Sequence, residues 1–388
     1  MIPETAARSN VAGTDGVDSG ARKRPGFSRR RSAMRIFAGF DVALNSTSLC
    51  LVDETGTVIL ETTVETTPEA ICNAVKPYRS NLQQLGHETG ALAPWLHKEL
   101  KARGLPIVCL EAAHARAALA AMRNKTDRND ARGLAHILRT GWYRSVHIKS
   151  DESYRLRLLL TARRNIKRKF LDIENTIRHS LKAFGVRLTN VSRGRFEAEV
   201  RAHLKDDPVL TGMIDSLLIV RASLWQQYCK MHKLLVQVVG RDEVCRRFAR
   251  VPGVGPVAAL TFYASVDDPG RFRKSRTVGA HFGLTPKRWQ SGSSIDQSGG
   301  ISKKGDGEVR TALFEAANAL LTLTRKASPL KSWGKKIAKK RGHRAACVAV
   351  ARKLAIILHA MWRDGSEFRG GAPKARKPLS QRALEARG

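Results

Sequence analysis

Acidic residues are scarce in this chain: 34 Asp and Glu stand against 69 Lys and Arg, a formal net charge of +35 over 388 residues. Such an imbalance is drawn to phosphate backbones by counterion release, whatever the base sequence. It names polyanions as the partner class and nothing narrower, because a ribosomal or architectural protein carries similar charge. Cysteine pairs are missing too. Cys50, Cys72, Cys109, Cys229, Cys245 and Cys347 are scattered, with no CxxC spacing. That argues against a disulfide framework and structural zinc, and for a reducing compartment. No apolar run approaches the roughly 20 residues that span a bilayer. The first 33 residues lack the apolar stretch of a signal peptide. These absences predict a cytoplasmic, nucleoid-associated protein with no membrane partner.

What is present is enough apolar content, 42%, for two or three domains with real cores. Residues 1–33 read as a disordered basic arm carrying Arg22-Lys23-Arg24 and Arg29-Arg30-Arg31, and Met34 is a candidate natural start. The segment Arg35–Phe40 reads as a strand, followed by β-rich runs at Ser48–Val52 and Thr57–Thr62, a three-stranded meander. A helix over Ala91–Arg103, a buried strand at Pro106–Leu110 and a helix from Asp127 complete an α/β domain over 34–150. Beyond Asp151 two helical seams follow: Ile166, Phe170, Ile173, Ile177, Leu181, Phe184, and Leu210, Ile214, Leu217, Leu224, Tyr228, Met231, Leu235, Val238, with Arg221 interrupting the second. They predict a coiled-coil arm over 151–245 or two helices packed in a bundle. A mainly helical domain over 246–363 and a disordered basic tail over 364–388 close the chain, so the fold class is α/β plus α.

Acids in so basic a chain need a reason. Asp41 ends the first predicted strand, and Asp127 and Asp130 lie i, i+3 at a helix start, sharing one face. Carboxylates from separate elements, together with a substrate phosphate, form a natural magnesium site, and paired ions assist in-line displacement at phosphorus. Glu88 and Glu111 compete for a further ligand position, and residue patterns do not choose between them. The turn Pro252-Gly253-Val254-Gly255-Pro256 reads either as a phosphate-approaching glycine turn or as an ordinary one. Ser291 to Gly305 reads as a flexible hydroxyl-rich loop rimmed by Lys303, Lys304 and Arg310. It presents a serine nucleophile to a phosphodiester or is a surface loop.

Several stretches resemble one family. Phe37-Ala38-Gly39-Phe40-Asp41-Val42, His87-Glu88-Thr89-Gly90, Leu110-Glu111-Ala112-Ala113-His114-Ala115-Arg116, Lys125-Thr126-Asp127-Arg128-Asn129-Asp130-Ala131, Gly283-Leu284-Thr285-Pro286, Ser291-Gly292 and Gly300–Asp306 are similar to the insertion-sequence one-ten family of DEDD transposases, also described as bridge-RNA-guided recombinases. The resemblance implies a RuvC-like, ribonuclease-H-type first domain holding magnesium through Asp41, Glu88, Asp127 and Asp130, with Glu111 in support. It implies a C-terminal transposase domain whose serine, matched by Ser291 with Ser293, Ser294 and Ser298 crowding nearby, attacks DNA. It further implies a homo-oligomer joined through the helical arm, with acid and serine sites meeting across chains. Its partners are donor and target DNA and an element-encoded guide RNA that supplies the sequence choice. Lys125, Arg128, Gly253, Gly255, Lys303, Lys304 and Arg310 are the nucleic-acid-binding candidates. The basic N-terminal arm has no counterpart in the shared motifs. A water-using, metal-dependent junction resolvase and a non-enzymatic architectural protein are the alternatives.

Overall fold

Alternation along the first strand sets the first half of the molecule. Ile36, Ala38 and Phe40 are buried on one face of that strand, and Phe37 and Gly39 point to the other. A strand whose two faces are both covered must lie between layers. The computed structural model describes residues 34–368 except 121–123, 205–206, 292–294 and 326, and it divides at 148/149 into two compact units. The expectations for the N-terminal arm and for the tail beyond Phe368 lie outside the described residues.

The first unit runs β1 (Ile36–Val42), β2 (Ser46–Asp53), β3 (Val58–Glu65), α1 (Pro68–Val75), β4 (Leu82–Glu88), α2 (Ala93–Ala102), β5 (Ile107–Leu110), α3 (Ala112–Leu119) and α4 (Asp127–Thr140). Its sheet has the order β3-β2-β1-β4-β5; β1 to β3 form the expected antiparallel meander, and β4 and β5 run parallel to β1. Helices α1 and α2 cover one face through Ile71, Val75, Leu96 and Leu100, packed on Ile36, Phe40, Leu51 and Leu85. Helix α4 covers the other through Ala131, Leu134, Ala135 and Leu138. The arrangement is compatible with a ribonuclease-H-type domain. Helix α1, strand β4 and helix α3 were not anticipated; β4 reads Leu-Gln-Gln-Leu-Gly-His-Glu, polar enough to hide a central strand.

The second unit is mostly helical: α5 (Asp151–Ser180), α6 (Phe196–Ala202), α7 (Pro208–Arg241), α8 (Glu243–Ala249), α9 (Pro256–Val266), α10 (Val278–His281), a hairpin of β6 (Pro286–Ser291) and β7 (Ile295–Ile301), then α11 (Gly307–Thr322), α12 (Pro329–Arg341) and α13 (His343–Asp364). Ser150 caps α5 by accepting from the Ser153 N–H, and Asp207 caps α7 by accepting from the Leu210 N–H. These two long helices run antiparallel: Ile177 packs with Ile214, and Leu156 and Leu160 with Leu235 and Val239. Arg221, the odd residue of the second seam, is buried. Its Nε and Nη2 donate to Glu174 Oε1 at 2.9 and 2.6 Å, so the charge entering the helix pair arrives with its partner. Phe184, placed in the first seam, is instead exposed, because α5 ends at Ser180 and the chain turns away.

Helices α7 and α13 are long and apolar enough, by length and composition alone, to cross a membrane. Charges interrupt both, Asp215, Arg221 and Lys230 in α7 and Arg352 and Lys353 in α13, so neither is a continuous apolar run. Helix α13 has another use for its apolar residues: Cys347, Val350, Leu354, Leu358 and Met361 lie in the main core of the second unit. Helix α7 leaves Val209, Met213, Val220 and Leu234 exposed.

Candidate active site

Register decides which acids meet. In the parallel pair β1–β4, Phe40 lies opposite His87, so Asp41 and Glu88 follow as neighbours at the strand ends. By alternation both leave the sheet on the face of Gly39 and Gly86, which is the face covered by α4. At Gly39 the contact is backbone to backbone: a Cβ there would stand 2.3 Å from Ala135 N and 2.4 Å from Ala131 O. Only glycine lets α4 lie this close. Thr126 caps α4, its Oγ1 accepting from the Asn129 N–H at 3.2 Å, so Asp127 and Asp130 fall in the first turn, next to Ala131. The glycine contact therefore places those two acids at the end of β1 that carries Asp41.

The charges respond to this arrangement. Burial raises the pKa of Asp41, and the carboxylates of Asp127 and Asp130 raise it further, against the Val42 N–H and Lys125. Glu88 is likewise raised, first by burial and then by Asp41 and Asp130, against Arg116 and Lys125. A cavity of about 270 Å³ is lined by Glu88 and Asp130 with Arg116, Lys125 and Asn124, and another of about 240 Å³ by Asp41, Glu88 and residues 89–93. Among the described residues no three His, Cys, Asp or Glu side chains are grouped closely enough to hold an ion as they stand. In kind the donors fit a hard divalent cation: they are all carboxylate oxygens, and mutual repulsion leaves them in need of a counter-charge.

Glu111 lies elsewhere. It directly follows β5, one strand beyond Glu88, stands at the N-cap of α3 and pairs with Arg144 at 3.7 Å. Sequence reasoning missed His87, which is fully buried on the opposite face. Burial holds its pKa down to about 4, so the ring is neutral near pH 7. A neutral ring has one N–H; Nδ1 donates to the Glu88 carbonyl at 2.9 Å, and Nε2 accepts from His97 Nδ1 at 3.2 Å. The Glu88 backbone is thus fixed from behind. Arg128 is not a free cation: with Arg132 it pairs with Glu61 on β3, Arg128 Nε lying 2.7 Å and Arg132 Nε 2.6 Å from that carboxylate. Arg132 first and Arg128 second hold the Glu61 pKa down to about 2, though burial opposes them.

In the second unit the stretch read as a flexible loop contains a β-hairpin. Ser291 pairs with Ile295 at the ends of β6 and β7, and Arg288 grips Asp296 through Nε–Oδ1 and Nη2–Oδ2 bonds of 2.7 and 2.6 Å. Every residue of β6, Ser291 included, is exposed. Ser293 and Ser294 lie outside the described residues, as does the side chain of Ser298. At the feet of the hairpin, Gly283 and Gly305 have φ of +68° and +72°. A Cβ on Gly283 would meet Lys304 O at 2.3 Å, and one on Gly305 would meet His281 O at 2.2 Å. Arg310 locks this crossing, its Nη1 donating to the carbonyls of Phe282, Lys304 and Gly305 at 3.2, 2.7 and 3.0 Å. Lys303 and Lys304 remain exposed beside it. Gly253 serves packing, since a Cβ there would strike Ala316 O of α11 at 2.4 Å; Gly255, at the start of α9, faces open space.

A mixed α/β unit with four acids converging at one end of its sheet, followed by a mostly helical unit, is compatible with a DEDD-type transposase. Residues 38–185 match the DEDD transposase model of the IS110 group, and residues 245–331 match the model described as "Transposase IS116/IS110/IS902 family". The chain belongs to the IS110 family of transposases. It is 29% identical to the transposase for insertion sequence element IS1111A of Coxiella burnetii, over 92% of this chain and 98% of that protein. It is 24% identical to the transposase for insertion sequence element IS1328 of Yersinia enterocolitica, over 63% of this chain and 74% of the relative. It is 25% identical to the pilin gene-inverting protein of Moraxella bovis, over 66% and 71%. A DEDD-type transposase domain suggests dependence on a divalent metal.

Proposed function

We propose that this chain is the transposase of a mobile DNA element, cutting and rejoining DNA through a phosphoserine intermediate at Ser291. The observation that supports the reading is that Asp41, Glu88, Asp127 and Asp130, from β1, β4 and α4, lie towards one end of the sheet through the Phe40–His87 register and the Gly39 contact. These four would hold magnesium, which supplies charge neutralisation at a scissile phosphate. Lys125 and Arg116, on the same cavity as Glu88 and Asp130, hold the phosphodiester in place. Ser291 Oγ forms a bond to phosphorus as the bond to the departing strand oxygen breaks. The hydroxyl proton is given up and the departing oxygen takes one. A strand-end hydroxyl then attacks the phosphoserine, releases Ser291 and seals the new junction.

The first unit takes a RuvC-like role, and α5 and α7 form a coiled-coil arm joining two or more copies. Supporting the latter is the exposed apolar set Val209, Met213, Val220 and Leu234 on α7. Donor and target DNA are the substrates, and an element-encoded guide RNA supplies the sequence choice, a reading supported by family membership and the charge of +35. The test mixes protein, magnesium, RNA from the flanking element and labelled donor and target DNA on a denaturing gel. A covalent protein–DNA band lost in Ser291→Ala is the expected result. Cleaved DNA with no adduct, and full activity of Ser291→Ala, would instead establish a water-using resolvase.

A further inference from the structure

Trp289 has no part in the reading above. It is 55% exposed, a large apolar ring on a strand whose every residue faces solvent. It lies two residues before Ser291, so the two side chains share one face of β6, about 7 Å apart along the strand. Opposite Trp289 stands Gln297, and the ring reaches Gly299, two residues further on. A Cβ at Gly299 would stand 2.5 Å from Trp289 Cζ3 and 2.8 Å from Cη2, so the missing side chain is what lets the indole lie against the β7 backbone. The Cζ3–Cη2 edge of the ring abuts the ribbon at Gly299, and more than half of the residue is left to solvent. Lys287 is exposed on the same strand, and Lys303 and Lys304 are exposed at the ribbon's foot.

An exposed indole on a ribbon that also carries exposed lysines matches the two halves of a nucleotide, a flat apolar base and an anionic phosphate. A base paired within a duplex has both faces covered by its neighbours; an unpaired base has a face to offer. We propose that Trp289 stacks on an unpaired DNA base next to the scissile phosphate and so seats that phosphate over Ser291. The inference rests on the nucleophilic role proposed for Ser291, and it makes Trp289 a positioning residue.

The test uses the full chain and a single-stranded DNA oligonucleotide carrying 2-aminopurine, whose fluorescence is quenched on stacking. Wild type and Trp289→Phe quench it; Trp289→Ala does not, and its Kd rises about 10-fold, in line with the loss of one stacked base. The slope of log K against log salt stays unchanged in Trp289→Ala, because no charge is removed, whereas Lys287→Ala makes it shallower. Ser291→Ala quenches as wild type does, so the stacking can be read even if the nucleophile is another residue. Equal quenching and affinity in Trp289→Ala would overturn the proposal, as would quenching by an RNA oligonucleotide with none by DNA. A covalent adduct persisting in Ser291→Ala would overturn the role of Ser291 and leave the stacking measurement standing.

Discussion

The two candidate reactive regions are built in opposite ways. The acids sit on elements with no clearance: α4 rests on β1 at a contact that admits no Cβ, and His87 pins the Glu88 backbone from the buried side. Ser291 sits on a ribbon with no buried residue in its strand β6. Like charges must be held together against their own repulsion, which takes a rigid, packed scaffold. A nucleophile that a polymer must reach needs exposure more than burial. The molecule divides precision and access between its two units.

That contrast can be broken from either side. The largest effect is expected from Asp127→Ala, which abolishes recombination while circular dichroism and Tm stay near wild type; a folded, fully active variant would remove the metal-site claim. Next comes Gly39→Ala. Its methyl would strike backbone atoms that cannot rotate away, so we expect a loss of about 3 kcal/mol or more, read by denaturant unfolding. Wild-type stability in that variant would show that α4 can lift from β1 without cost.

Glu61→Gln follows, at about 1–3 kcal/mol, discounted because Arg128 and Arg132 are partly exposed. The Glu61 pKa is held down to about 2 from an ordinary 4.5, so its stabilisation is present above pH 4.5 and is lost as pH falls towards 2. Unfolding curves of wild type and Glu61→Gln should therefore converge across that window; a constant gap would refute the pairing. The smallest effect on stability belongs to Ser291→Ala, an exposed site where Tm should not move although the adduct disappears.

Much of the first unit was legible because its elements announce themselves locally. The meander follows from alternation, and α4 starts at Asp127, where a helix was expected. The choice between Glu88 and Glu111 was not legible from residue patterns, since it depends on which strand lies beside β1, a long-range pairing that no local spacing encodes. Strand β4 escaped notice because two glutamines and a histidine interrupt its apolar residues, and His87 is buried only because His97 and the Glu88 carbonyl satisfy it. The hairpin carrying Ser291 was hidden by its glycines and serines, which read as loop. Its order comes from cross-strand partners such as Arg288 with Asp296. The backbone contacts of Arg310 were equally hidden: its Nη1 ties three backbone carbonyls together, a long-range arrangement that no local spacing encodes.

The crossing of Gly283 and Gly305 under that arginine has a use in engineering. The residues between them enter and leave through two points that interlock backbone to backbone, with Arg310 as the bolt. A segment fastened in this way is a cassette. Exchanging 286–301 for the equivalent stretch of a relative, while keeping both glycines and the arginine, should transplant the ribbon without redesigning the body that carries it.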